Sequence, residues 1–349
     1  MARHKNKPRI TIDFETRSAQ DIAVGPWLYS LHPSTSVMCL AYKIGDAETK
    51  LWHPAYPHLG IEQSPDPTDL WEAIAAGWLV EAHNRFFEFC IWLHQMVRKF
   101  GWPRIREEQW RCSAAKAAYY SLPRKLEGAV DALGLPIRKD TEGGKLMKQL
   151  SKPKKLTKAE RKELVQAGWT PEQIDGRIWW RESVEEFERL WAYCVVDVDA
   201  EHGFSEALPD LPEAELKVWQ MDQRMNQRGI KVDLDLVKTA IRLRDHETSS
   251  LNSELFDITG GAVEKASSRA SFKAWAVESG LDLPDTQAAT LEQFLPKGLS
   301  KRQLAEFLAR NGLTPALHRA LWIVREVNRS STAKYDAFWE STDHSDRSE

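Results

Sequence analysis

The sequence predicts an α/β fold for its first part and a nearly all-helical second part. Arg9 to Glu15 alternates apolar and polar residues, which is the period of a strand with one face in the core. Glu185 to Phe204 has an apolar stripe at helical spacing. The run Leu208 to Pro212 contains two prolines that end this element, and Glu213 to about Glu340 then returns to a helical pattern.

Strand and helix signals alternate within the first part. Val37 to Lys43 and Thr49 to Trp52 predict two strands joined by a turn at Gly45-Asp46. Asp69 to Gly77 predicts a short helix capped by its first aspartate, and Trp78 to Ala82 predicts a short buried strand. This order of elements is typical of an α/β domain.

Further helices are predicted from apolar spacing and from their end signals. One begins after Asn84 and ends at Gly101, with this apolar stripe: Phe86, Cys90, Leu93 and Val97. In the second part, Glu213 to Arg228 ends at Gly229, and Asp233 caps a helix that runs past Leu251. The length of 349 residues corresponds to about two domains of ~150 residues. We therefore predict domains at 1–208 and 209–340, followed by a polar tail at 341–349.

Composition excludes several classes of protein. Hydrophobic residues at 42% and charged residues at 28% argue against disorder and against fibrous repeats. No apolar run approaches the ~18 residues of a membrane span, and no signal-peptide segment follows the basic N-terminus. We therefore expect an intracellular protein without a membrane partner. The cysteines have no CxxC spacing, so we expect buried free thiols at four positions: Cys39, Cys90, Cys112 and Cys194.

Charge is distributed unevenly along the chain. The formal net charge of -3 argues against a protein coated in basic surface, but a local basic channel remains compatible with it. Residues 138–162 hold ten Lys or Arg against three acids. This stretch is either a solvated surface or a surface that follows a phosphate backbone. Under the second interpretation, four lysines are candidate contacts to nucleic acid: Lys145, Lys148, Lys152 and Lys154.

Three short patterns place acids where they can do chemistry. Asp13 and Glu15 lie two apart on the first strand, so their carboxylates share one face and can share a hard cation. Tyr193 and Asp197 lie four apart on the long helix, one turn from each other. The third pattern, an asparagine and a glutamate four apart at 84 and 88, follows a buried strand. Each pattern alone also fits solvated acids or, for Asn84, a helix cap.

Taken in order, these patterns resemble the DEDD family of 3′-5′ exonucleases. The family's D-x-E-T occurs as Asp13 to Thr16, N-x-x-x-E as Asn84 to Glu88, and Y-x-x-x-D as Tyr193 to Asp197. The histidine subtype needs His five residues before the last acid, and position 192 is Ala192, so the tyrosine subtype fits. Many family members have Asp where this chain has Glu88, and phage-type relatives often have Glu.

Longer segments are similar to family A DNA polymerases, especially phage-type ones. They are GLPIRKDTEGGKLMKQLSKPKK (134–155), WQMDQRMNQRGIKVD (219–233) and STAKYDAF (331–338). The resemblance covers about residues 9–338. It implies an RNase H-like exonuclease fold over 1–208, with a mixed sheet flanked by helices, and a helical thumb-like region over 209–340. It also implies a proofreading-type exonuclease that hydrolyses DNA from its 3′ end.

The resemblance further implies roles for individual residues. Two divalent ions, Mg²⁺ or Mn²⁺, would be held by acids: Asp13, Glu15 and Asp197 for the ion that activates water, Asp13 and Glu88 for the second. Tyr193 would orient the attacking water, and Asn84 and Thr16 would contact the terminal nucleotide. The expected partners are single-stranded or frayed DNA 3′ ends and a possible separate polymerase subunit. The expected location is the cytoplasm of a bacterium or of a phage-infected host cell.

Polymerase activity is not expected from these 349 residues alone. A family A palm and fingers need Tyr-Gly and His-Asp-Glu motifs, and neither occurs in the sequence. Two other functions stay open from the residues. One is a ribonuclease D-like RNA exonuclease, which shares the same acids. The other is a catalytically silent DNA-binding module, for which loss of one or more acids is expected. The sequence is compatible with a truncated polymerase, one half of a split polymerase and a stand-alone nuclease.

Overall fold

The computed structural model of the chain describes residues 8–136 and 140–342. These residues form two compact units that divide after Gly229. The helix Glu213–Arg228, which the sequence analysis assigned to the second region, is therefore part of the first unit. The exonuclease and thumb-like assignments of the two regions stay predictions. Most of the predicted polar tail, and Arg138 and Lys139 of the basic stretch, lie outside the described residues.

The first unit is built on one five-stranded mixed sheet. Its strand order is β3-β2-β1-β4-β5, with antiparallel pairing between β1, β2 and β3 and parallel pairing of β4 with β1 and β5. The strands are β1 (Arg9–Arg17), β2 (Ser36–Ile44), β3 (Lys50–Trp52), β4 (Leu79–Ala82) and β5 (Trp110–Cys112). The predicted α/β class and the predicted strands are confirmed.

The central strand β1 is buried on both faces. Ile10 and Ile12 are fully buried, as predicted, but Thr11 and Glu15 on the opposite face are buried as well. The prediction of a half-buried strand is therefore wrong, because the long helix described below packs on the second face. Pairing with β2 shifts between Glu15 and Thr16, so that β2 contributes one extra residue there. Such bulges often lie beside functional sites.

Helices surround this sheet. In chain order they are α1 (Pro26–Leu31), α2 (Thr68–Ala75), α3 (Arg85–Ile91), α4 (Arg98–Phe100), α5 (Ser113–Tyr119), α6 (Leu126–Ala132), α7 (Thr141–Leu150), α8 (Lys158–Gln166), α9 (Pro171–Asp175), α10 (Val184–Glu206) and α11 (Glu213–Arg228). The long helix α10 packs on β1 and β2. Part of the tryptophan-rich core is a group of rings around Trp102, with centroids 4.9 to 5.6 Å from it: Trp52, Trp71 and Trp92.

Two local predictions are corrected. Asp69 does not cap α2, which begins after Pro67; its carboxylate instead accepts hydrogen bonds from Tyr42 Oη at 3.0 Å and Lys50 Nζ at 2.8 Å. Between α3 and α4 the chain forms a π-helix over Trp92–Val97. This wider turn changes which residues face the core. Met96 is fully buried there, although it does not belong to the apolar stripe that ordinary helical spacing predicts.

A buried ionic network connects the interior strands β1 and β4 to the end of α10. Arg9 Nη1 lies 2.8 Å from Glu81 Oε2, and Arg9 Nη2 lies 2.6 Å from Asp210 Oδ1. Lys116 Nζ lies 3.1 Å from the same Asp210 oxygen and 2.8 Å from Ser205 Oγ. Arg9, Glu81 and Lys116 are each at most 3% exposed. Opposite charges therefore compensate one another inside the unit.

The second unit is helical, as predicted. Asp233 caps its first helix by accepting a hydrogen bond from the backbone amide of Leu236 at 2.9 Å. Its helices are α12 (Leu234–Ile258), α13 (Arg269–Glu278), α14 (Ala288–Glu292), α15 (Lys301–Arg310), α16 (Pro315–Val327) and α17 (Lys334–Glu340). Residues of α12 to α16, including Leu255, Phe272 and Leu321, form its own apolar core.

Two further sequence predictions can be compared with the described residues. Cys39, Cys90 and Cys194 are buried free thiols, whereas Cys112 is a free thiol that is only partly buried. In the described part of the chain, no helix has the length and apolar character needed to cross a membrane.

Candidate active site

Three carboxylates predicted from separate elements come together in one cleft. Asp13 and Glu15 project from β1, and Asp197 projects from α10, which packs across that face of the strand. One carboxylate oxygen of each lies within 4.8 Å of the others. The cleft has a volume of about 530 Å³ and is lined by residues of β1, α3, α7 and α10 among others. Such a group of oxygen donors suits a hard divalent cation.

Tyr193 adds a hydroxyl to this cluster. It lies one helical turn before Asp197, hydrogen-bonds that carboxylate and is 2% exposed. Burial, followed by the charge of Asp197 and its hydrogen bond, raises the pKa of Tyr193 far above its usual range. The side chain therefore stays a neutral phenol whose hydroxyl donates a hydrogen bond to Asp197. Its oxygen keeps lone pairs that can accept a hydrogen bond from water.

Glu88 faces the same cleft from α3 and is 4% exposed. Burial, followed by the charge of Asp13, raises the pKa of Glu88 well above its usual range. Its Oε2 has no hydrogen-bond partner among the described residues. The interpretation of Glu88 as an ordinary solvated acid of a first helical turn is therefore wrong.

Glu201 is a site residue that the sequence analysis missed. It lies on α10 one turn beyond Asp197, is 1% exposed and lines the cleft. Ser113 and the backbone of His83 hydrogen-bond its carboxylate, yet within the described part of the chain its Oε1 has no hydrogen-bond partner. Burial, followed by the charge of Glu81, raises the pKa of Glu201 well above its usual range. The repeated spacing of four in Tyr193, Asp197 and Glu201 is the signal that could have identified it.

The two residues predicted to contact a terminal nucleotide differ in position. Thr16 is buried and lines the cleft, with its Oγ1 3.0 Å from Tyr29 Oη. Asn84 precedes α3 with a left-handed φ of 69°, is exposed and makes no capping hydrogen bond through its side chain. Among the described residues that line the cleft, Asn84 is not included.

The four predicted lysines are not brought together. Lys152, just after α7, lines the cleft, and it is exposed to solvent. Lys145 is 70% exposed and forms an ion pair with Glu142 at 2.8 Å. Lys154 forms an ion pair with Glu160 at 2.5 Å, and Lys148 is an exposed residue of α7. Lys152 is therefore the member of this group that faces the acids.

The donor set of the cleft fits divalent cations. Asp13, Glu15 and Asp197 supply carboxylate oxygens within one cluster. Glu88 and Glu201 add two further carboxyl groups to the cleft wall, each with one buried oxygen that has no hydrogen-bond partner in the described residues. Oxygen-only sites of this kind favour Mg²⁺ or Mn²⁺ over the softer metals that prefer sulfur or imidazole.

Comparison with known proteins relates the chain to replication enzymes. No protein-family model matches it. Over 332 residues, 93% of this chain, it is 28% identical to a DNA polymerase of Bacillus phage SP02. The chain spans 45% of the length of that protein. The predicted similarity to a phage polymerase is confirmed at this level, and the family A and exonuclease assignments stay predictions.

Proposed function

We propose that this chain is a metal-dependent 3′-5′ exonuclease of the proofreading type that acts on DNA. The observation that best supports this function is the cluster of Asp13, Glu15 and Asp197, whose oxygens lie within 4.8 Å of one another beside the Tyr193 hydroxyl. Similarity to a phage DNA polymerase over 93% of the chain supports DNA as the substrate. This chain has an acid at each of the four positions where the DEDD exonucleases have one, which argues against a catalytically silent module.

The proposed reaction hydrolyses the last phosphodiester bond of a strand. The oxygen of water forms a bond to phosphorus, and the bond from phosphorus to the 3′ oxygen of the preceding nucleotide breaks. That oxygen takes up a proton, and the terminal nucleotide leaves as a 5′-monophosphate. Two divalent ions, when bound, would lower the pKa of the water and stabilise charge on the attacking and leaving oxygens.

The chain's own residues have distinct tasks in this proposal. Asp13, Glu15, Asp197 and Glu88 would hold the ions. The Tyr193 phenol donates to Asp197 and accepts a hydrogen bond from the attacking water, which fixes the direction of attack. Thr16, on the cleft wall, would contact the terminal nucleotide. No base-reading device was recognised in the sequence, so a single-stranded or frayed 3′ end of any sequence would serve.

The finer assignments belong to the same proposal. The mixed sheet with α10 packed on its central strand is compatible with an RNase H-like exonuclease fold. The helical second unit would then be the thumb-like region of a family A polymerase. The 349-residue chain by itself would not extend a primer, and a separate polymerase subunit is a candidate partner.

The test is digestion of 5′-labelled single-stranded DNA by the full chain with Mg²⁺ or Mn²⁺. We expect stepwise shortening from the 3′ end that EDTA abolishes, with slower digestion of RNA of the same sequence. Asp197→Asn should reduce the rate more than about a hundredfold, because a metal ligand is lost.

The matched control is Glu188→Gln, which neutralises an exposed acid of the same helix. This variant should digest DNA at the rate of the unaltered chain. Full activity of Asp197→Asn, or digestion unaffected by EDTA, would contradict the proposal. Faster digestion of RNA than of DNA would favour the ribonuclease D-like function instead.

A further inference from the structure

Cys194 is a buried thiol of α10 that contacts Asp13, an acid of the cluster on β1. Its Sγ lies 3.5 Å from Asp13 Oδ2 and 3.4 Å from the Asp13 carbonyl oxygen. In both contacts the S–H donates and an oxygen accepts, so one proton is shared between the carboxylate and the carbonyl of a single residue. These contacts therefore fix the Asp13 carboxylate relative to its own backbone.

The position of Cys194 on α10 gives the helix a second contact with the acidic cluster. Asp197 lies three residues after Cys194, so both side chains are on one face of the helix. Asp197 is itself a member of the cluster, whereas Cys194 reaches across to Asp13 on the facing strand. One turn of α10 therefore supplies one carboxylate of the cluster and holds another.

Packing around the sulfur keeps this contact in place. Cys194 is fully buried in a small cluster with Cys39 and Ala41 of β2 and Val198 of α10. Cys39 is also a hydrogen-bond neighbour of Cys194. Because a thiol sulfur can accept a hydrogen bond while its S–H donates one, Cys39 can donate to Cys194 while Cys194 donates to Asp13. The cluster is closed to solvent, so bulk water does not compete for the Cys194 proton.

We propose that Cys194 is a positioning residue that holds the Asp13 carboxylate in the orientation needed to bind a divalent ion together with Glu15 and Asp197. This inference rests on the proposed exonuclease function and gives a role to a residue outside its acids and its tyrosine. Carboxylates that bind metals are commonly oriented by hydrogen bonds from neighbouring residues, and loss of such a partner weakens metal binding by about 10- to 100-fold. A thiol is a weak donor, so it can orient the carboxylate and leave most of the negative charge for the ion.

The first test compares Mn²⁺ binding to the full chain and its variants, measured by the electron paramagnetic resonance signal of free Mn²⁺. Cys194→Ala should weaken binding about tenfold. The matched control is Cys39→Ala, which removes a buried sulfur from the same cluster but keeps both contacts of Cys194 with Asp13, and it should weaken binding much less. Digestion of DNA by Cys194→Ala should recover as Mn²⁺ is added, because the defect lies in affinity for the ion.

The second test follows the hydrogen bond by infrared spectroscopy of the S–H stretch. An ion bound to Asp13 withdraws electron density from the carboxylate and weakens the S–H···O bond. The S–H band of Cys194, identified by its absence from Cys194→Ala, should therefore shift to higher frequency when Mn²⁺ binds to the unaltered chain. If the alanine variant does not fold, Cys194→Ser, which also lacks the S–H group, identifies the band.

The outcomes separate this inference from the function on which it rests. Equal Mn²⁺ affinities of Cys194→Ala and Cys39→Ala would mean that the thiol of Cys194 does not position Asp13. A Cys194 band that stays unchanged when Mn²⁺ binds would also overturn the inference. In either case, weaker binding of Mn²⁺ by Asp197→Asn would leave the proposed function standing. An unaltered chain that binds no Mn²⁺ would overturn both.

Discussion

Tyr193 is enclosed more tightly than any pattern in the sequence indicates. Asp140 caps α7 by accepting a hydrogen bond from the Gly143 amide at 2.9 Å and also pairs with Arg189 of α10. These contacts hold α7 against the tyrosine ring. A Cβ added to Gly143 would lie 2.9 Å from Tyr193 Cγ, which is too close for any real contact. Gly143 is therefore the residue that lets α7 cover the ring.

We predict that Gly143→Ala displaces Tyr193 and lowers exonuclease activity about tenfold or more, because a misplaced positioning group is costly. Gly144→Ala is the matched control, since its Cβ would lie at an ordinary 3.8 Å from the Tyr193 hydroxyl. Both changes replace a helical glycine by a better helix former, which alone favours α7 by about 1 kcal/mol. Rates of single-strand digestion compare the two variants. Equal rates would show that Tyr193 is not held by Gly143.

Single residues also show the limit of the sequence analysis. Asp13, Glu15 and Asp197 were singled out by the order of the three motifs and the family resemblance that this order carries, because each spacing alone also fits solvated acids. Glu201 was missed although the spacing of four continues from Tyr193 and Asp197 to it, because this spacing does not show whether an acid is buried or solvated. Glu201 is buried because α10 packs against the sheet, and the side chain of Ser113 hydrogen-bonds its carboxylate. Both are contacts between residues that are distant in the sequence.

At the scale of elements, local rules predicted four of the five strands of the described sheet but neither β5 nor every helix. The π-helix of Trp92–Val97 lies within a segment whose apolar residues are spaced as in an ordinary α-helix, so this spacing did not predict it. Asp69 has the residue type of a cap, but its carboxylate is used by Tyr42 and Lys50 across the sheet. In both cases tertiary contacts outweigh a local preference.

The segment that follows α7 provides the clearest test of the basic stretch. Lys152 lines the cleft with the acids, whereas Lys145 is 70% exposed and paired with Glu142. We predict that Lys152→Gln weakens binding of single-stranded DNA and reduces its salt slope by about 0.7, the value for one phosphate contact. Lys145→Gln is the matched control and should change the slope less. Fluorescence anisotropy at several salt concentrations measures both.

Equal salt slopes for Lys152→Gln and Lys145→Gln would indicate that the position of Lys152 in the cleft does not affect its contribution to DNA binding. If neither slope differed from that of the unaltered chain, both residues would be solvated surface lysines. That result would leave the metal cluster untouched, because neither lysine is one of its ligands.

At the scale of the whole molecule, the long helix and the first compact unit end at different residues, Glu206 and Gly229. The prolines at 209 and 212 do end a helix, as predicted. However, Trp219 of α11 packs against the core around the sheet, and Gln227 Nε2 lies 3.1 Å from Glu107 Oε1. Proline marks the end of an element, whereas the end of a compact unit depends on contacts between distant residues.

This difference predicts how the chain can be shortened. A fragment of residues 1–229 keeps the first unit, including every carboxylate of the cleft, and should fold and digest DNA like the full chain. A fragment ending at 208 lacks α11 and lacks Asp210, the partner of buried Arg9 and Lys116. Arg9 and Lys116 keep Glu81 as a partner but lose this second carboxylate. We therefore expect the fragment ending at 208 to be less stable than the fragment 1–229.

Urea denaturation of both fragments, monitored by circular dichroism, measures this difference in stability. Asp210→Asn in the full chain is the point-variant comparison, because it removes the same negative charge while α11 stays in place. Its loss of stability should be smaller than that of the fragment ending at 208, which also exposes the apolar surface that Trp219 covers. If the two fragments unfold at the same urea concentration, α11 and Asp210 contribute nothing to the first unit. The boundary at 208 would then be the correct one.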